Sequence, residues 1–70
     1  MNEIKITNGQ KLMIQRIAHM SSPAKARRMA EFFLSELDKS SALYQAAQMI
    51  LDDEGMDELL EWFWRIAAAG

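Results

Sequence analysis

His19 is the only histidine in the chain, and there is no cysteine. Disulfides, thiolate nucleophiles, Fe–S clusters and zinc-finger ligation are therefore excluded. An imidazole acts as general acid or base only beside a reacting group within hydrogen-bond reach, and no nucleophile stands at a recognisable spacing from His19. Ser21, Ser22, Ser35, Ser40 and Ser41 read as helix caps and breaks, with no Gly-x-Ser-x-Gly elbow among them. Gly9 belongs to a helix start rather than to a Gly-x-x-x-x-Gly-Lys phosphate loop. Glu31 with Glu36, or the acids between 52 and 61, supply carboxylates for an acid/base pair, yet no spacing selects one. Asp52-Asp53-Glu54 lacks the Asp-x-Asp-x-Asp-Gly order of a calcium loop. The reading is of a non-enzymatic protein with no catalytic residue, metal, cofactor or small-molecule substrate.

The elements that position these residues are helices. At 70 residues and 8.0 kDa the chain is expected to form one domain, residues 1–70, around one core. Ten alanines, six methionines, a single threonine and no valine favour helix over strand. The expected fold is all-α, a small four-helix bundle with a short extended N-terminal arm at residues 2–6. The helices are expected at about 8–20, 23–39, 41–54 and 58–68.

Thr7-Asn8-Gly9-Gln10 has the form of a capping box, and the first helix should bury Leu12, Met13, Ile17 and Met20. Ser22-Pro23 is a serine cap followed by proline at the first helical position. Ala26, Met29, Ala30, Phe33 and Leu37 form an amphipathic stripe on the second helix, with Phe32 well off it. Ser40-Ser41 breaks that helix and caps the third, which carries Leu43, Ala46, Ala47, Ile50 and Leu51. Gly55 suits a left-handed C′ residue, with Leu51 and Met56 as the hydrophobic pair of a Schellman stop. Asp57 is then expected to cap the fourth helix, which runs through Leu59, Trp62, Phe63 and Ile66 to the Ala67-Ala68-Ala69 tail.

Apolar surface exceeds what one small core requires. From Trp62 through Leu60 to Trp64 the fourth helix presents an apolar arc of roughly 200°, against the 100° or slightly more that a surface helix normally shows. Either this helix is central and covered by its neighbours, or Trp62, Trp64 and Phe32 reach a surface that docks a partner or a second copy. The second alternative is preferred.

Charge is divided along the chain. Residues 1–39 carry seven basic and four acidic side chains, for +3, and residues 40–70 carry one basic and six acidic, for −5; together they make the net −2. Lys25, Arg27 and Arg28 lie in the first turns of the second helix, where cations oppose the helix dipole. Paired with the acidic stretch Asp52, Asp53 and Glu54 through Glu61, in the same or a neighbouring copy, they become a structural device. Left unpaired, and with Arg16, they form a modest anion- or nucleic-acid-binding patch. The acidic stretch could in turn present negative charge to a basic partner.

Lys5-Ile6-Thr7-Asn8-Gly9-Gln10-Lys11-Leu12-Met13-Ile14 resembles the opening of YfbU-like bacterial proteins, which read Lys, apolar, Thr, Asp/Asn, Gly/Ala, Glu/Gln, Lys/Arg, Leu and then apolar. The resemblance spans about ten residues of the 70; it implies a bacterial or phage origin and carries over no site. The order of arm, helix, tight break and helix also resembles, in topology, the ribbon-helix-helix repressors, whose paired strands enter the DNA major groove. That analogy implies Glu3, Lys5 and Thr7 facing DNA. It departs from the pattern where Ser21-Ser22-Pro23 replaces a glycine-containing turn, and in the two further helices.

The first residues, Met1 to Thr7, hold no apolar signal-peptide core, and no apolar run approaches the roughly 18 residues of a membrane span. The sequence therefore reads as a cytoplasmic interaction module that binds a larger protein or self-associates as a homodimer, with no membrane partner, acting as a regulator or inhibitor. The alternative is a dimeric DNA-binding regulator using Arg16, Lys25, Arg27 and Arg28.

Overall fold

Thr7 starts the first helix by a reciprocal pair of hydrogen bonds. In a computed structural model of the chain, which describes residues 4–69, the Gln10 backbone N–H donates to Thr7 Oγ1 at 3.1 Å and the Thr7 N–H donates to Gln10 Oε1 at 3.0 Å. Two amide groups that helix geometry would leave without partners are thereby satisfied. Helix α1 runs Asn8–Ala18, α2 Pro23–Glu36, α3 Ala42–Glu54 and α4 Met56–Ala69. Together they make an all-α four-helix bundle, with no strand among the described residues.

Ser22 and Ser41 cap α2 and α3, accepting from the Lys25 and Tyr44 backbone N–H groups at 3.4 and 3.1 Å. Residues 37–39, expected to continue α2, are instead a turn. Leu37 is extended (φ −77°, ψ 148°) and buried. Asp38 Oδ1 accepts from the Ser40 N–H at 2.9 Å and from Ser40 Oγ at 2.8 Å, while Ser41 Oγ donates to the Asp38 carbonyl at 2.7 Å. A short aspartate that bonds the backbone two residues ahead offers the chain an alternative to the helical ladder, and here the alternative wins.

The stop at Gly55 differs from the Schellman form. Its φ is 95° and its ψ 176°, a region essentially restricted to glycine but not the left-handed helical one. Its N–H reaches the Ile50 and Leu51 carbonyls, both at 3.1 Å, and its own carbonyl accepts from Leu59 at 3.2 Å. One residue thus ends α3 and starts α4, so α4 begins at Met56 and Asp57 is not its cap. Asp57 and Glu58 lie instead in the first turn, where the dipole favours them.

Ile14, Ile17, Ala26, Ala30, Phe33, Leu34, Leu37, Leu43, Ala47, Leu59 and Phe63 form the core, and it holds no polar side chain among the described residues. Phe33 and Phe63 meet edge-to-face, with ring centroids 5.8 Å apart and planes at 84°, joining α2 to α4. Helix α4 packs against all three other helices and most extensively against α1. Its wide apolar arc is in large part the mark of this central position: Leu59 and Phe63 are fully buried, and Trp62 and Ile66 are half-buried against the core. On α1, Ile14 and not Leu12 faces inward. Two residues apart on a helix means about 200° of rotation, so burying Ile14 beside Ile17 turns Leu12 outward. Ile4 and Ile6 of the arm also pack on the core; Glu3, and with it the start of the arm, lies outside the described residues.

Candidate functional site

Each helix leaves one large apolar side chain in solvent. Leu12 of α1 is 61% exposed, Phe32 of α2 55%, Met49 of α3 65% and Trp64 of α4 54%. Phe32 and Trp64 are singled out by their sequence phase. Leu12 and Met49 are not, although the same reasoning from phase applies: Met49 lies two residues from buried Ala47, on the far side of its helix.

Trp64 stands at the lip of an apolar groove of about 290 Å³. Ile17 and Met20 come from the end of α1 and its exit, Pro23 and Ala26 from the first turn of α2, and Leu60 and Trp64 from α4. The groove lies where the tight Ser21-Ser22-Pro23 break joins α1 to α2, and the short side chains of Ala18, Pro23 and Ala26 form part of its lining. Glu61 is its one charged lining residue, and that carboxylate lies 3.7 Å from Arg65 on the same helix. Such a lining recognises apolar shape. Trp62, although next to Phe63 with ring centroids 5.8 Å apart, belongs to the rim of the core and does not line the groove.

The charged clusters are partly joined within one copy. Arg27 Nη2 donates to Asp57 Oδ1 at 2.9 Å, tying the first turns of α2 and α4, with both side chains largely in solvent. An exposed pair of this kind contributes only about 0–1 kcal/mol. Arg16, Lys25 and Arg28 are exposed and make no ion pair among the described residues. Asp52, Asp53 and Glu54 are likewise exposed at the end of α3; Asp52 accepts from Gln48 Nε2 at 3.0 Å. Thr7, which the ribbon-helix-helix analogy turns toward DNA, is occupied by its cap.

His19 is exposed at the C-terminal cap of α1, where its backbone N–H donates to the Gln15 carbonyl at 3.0 Å. Ser35 Oγ donates to the Phe32 carbonyl at 2.6 Å. Glu31 and Glu36 are exposed on α2, five residues apart and about 140° around the helix from one another. Among the described residues no three His, Asp or Glu side chains gather in an arrangement that would hold a metal ion, and no helix is long and apolar enough to cross a membrane. No family model, curated protein or solved structure matches the chain, so its function is read from this geometry.

Proposed function

We propose that the protein is a small, cytoplasmic, non-enzymatic interaction module that regulates or inhibits a larger bacterial or phage protein, or assembles with itself, by docking through apolar and charged surface. The observation that carries the reading is Trp64, more than half exposed beside an apolar groove while the adjacent Phe63 is wholly buried. A tryptophan left in solvent beside a preformed apolar recess is the kind of anchor that dominates protein interfaces.

The test compares tagged wild-type protein with Trp64→Ala in capture from bacterial lysate, each with and without nuclease. A stoichiometric protein partner that survives nuclease and is lost with Trp64→Ala supports the reading, provided thermal unfolding shifts little. Equal recovery of all partners by the variant would sink it. Recovery that depends on nucleic acid, and falls with salt at a log–log slope of about −0.9 per phosphate neutralised, would favour DNA binding through Arg16, Lys25 and Arg28. The Asp57 partnership already draws on Arg27.

A further inference from the structure

Two exposed helix faces are complementary to each other. On α2, Lys25, Arg28, Phe32 and Glu36 follow at i, i+3, i+7 and i+11, so they form one stripe, and all four are exposed. On α3, Gln45, Met49, Asp52 and Asp53 form the corresponding outer stripe, also exposed. Each stripe has one large apolar side chain with charge one turn away. On α2 the cations lie N-terminal to Phe32; on α3 the carboxylates lie C-terminal to Met49.

We infer that the outer face of α2 docks antiparallel on the outer face of α3 of a second copy, with Phe32 against Met49 and Arg28 against Asp52 and Asp53. This rests on the interaction-module reading and deepens it by assigning one face one partner. Opposed helices run in register at about 1.5 Å per residue. With Phe32 opposite Met49, Arg28 four residues toward the start of α2 meets Asp53 four residues toward the end of α3. Lys25, seven residues from Phe32, lies just past the end of α3, on the side of its acidic last turn. In the other direction Glu36 meets neutral Gln45. A parallel arrangement would set Glu36 against Asp53 and Arg28 against Gln45, a like-charge contact that opposes association. Pairing α2 with α2 of a second copy would match Arg28 to Glu36 but leave Lys25 beyond the end of the opposing helix, and Met49 and the acidic end of α3 uncovered.

The split of +3 and −5 along the chain supports the same partner. Within one copy Arg27–Asp57 is the one ion pair between the two halves among the described residues. The remaining cations of α2 and carboxylates of α3 are thus available to a second molecule. One helix-on-helix seam is smaller than the roughly 1,200–2,000 Å² of a stable interface, so the association is weak unless a two-fold arrangement uses it twice.

The experiment is sedimentation equilibrium of the full chain from about 10 µM to 1 mM, a range that brackets weak association, for wild type, Arg28→Glu, Asp53→Arg and an equimolar mixture of the two variants. Both positions are exposed, and circular dichroism checks that each variant stays folded. The wild type is expected to self-associate and each single reversal to weaken this by roughly tenfold or more. The mixture is expected to restore it, because the carboxylate introduced at position 28 of one variant then meets the guanidinium introduced at position 53 of the other. A wild type that sediments as a monomer throughout overturns the proposal and leaves capture of other proteins through Trp64 standing. Loss with Arg28→Glu but not Asp53→Arg overturns it in favour of an α2–α2 seam. Self-association that ignores both reversals but is abolished by Trp64→Ala places the contact in the groove between α1, α2 and α4 and overturns it as well.

Discussion

Gly55 concentrates more of the fold in one residue than any other position. Its backbone lies at positive φ with an extended ψ, where any side chain is strained, although a Cβ there would meet no atom within 4 Å. The cost of replacing it is therefore conformational and not steric. Gly55→Ala is expected to destabilise the protein by about 1–3 kcal/mol, measured by urea unfolding, with the core unchanged in composition. A change below a few tenths would mean that the α3–α4 junction relaxes freely. Glycine at this position was legible from the sequence as a stop. Its angles were not, because whether a helix restarts at once depends on where α4 must lie to bury Leu59 and Phe63.

The corner between α2 and α3 belongs to the scale of the element. Asp38 accepts from the Ser40 backbone N–H and from the Ser40 hydroxyl, and these bonds hold its carboxyl below the ordinary value of 3.8. A carboxyl with a depressed folded-state value stabilises the fold above its unfolded value and loses that contribution as pH falls through the folded one. The stability advantage of wild type over Asp38→Asn should therefore be full at neutral pH and shrink as pH falls below 3.8. Urea unfolding at pH 7 and at about pH 2 checks this; an advantage that is equal at both would show that the charge is not what holds the turn. The serine pair was readable as a break and cap. That Asp38 would draw Leu37–Lys39 out of α2 was not, since helix and turn compete closely here and the burial of Leu37 against the other helices decides between them.

At the scale of the whole molecule, α4 is both the hub of the core and the bearer of its most exposed tryptophan. Phe63→Ala removes a wholly buried ring that meets Phe33 edge-to-face and is expected to cost about 3–5 kcal/mol. Trp64→Ala, one residue on, is expected to change stability by no more than about 0.5–1 kcal/mol. Paired thermal melts check the contrast. If Trp64→Ala is as damaging as Phe63→Ala, the groove is part of the core and the docking role assigned to Trp64 fails. A bundle of radius of gyration 11.1 Å has room for few side chains at its centre, and one central helix fills much of it.

Local rules determined the all-α class, four helices, the caps at Thr7, Ser22 and Ser41, the stop at Gly55 and most of the α2 stripe, because each follows from contacts within a few residues. The division of charge between the halves is likewise a property of the sequence. Only the tertiary structure decided that Ile14 and not Leu12 turns inward, that Trp62 rims the core while Trp64 borders a groove, and that Arg27 reaches Asp57. Helical periodicity sets the angles between side chains on one helix, whereas the rotation of each helix about its axis is chosen by all the others packing against it at once.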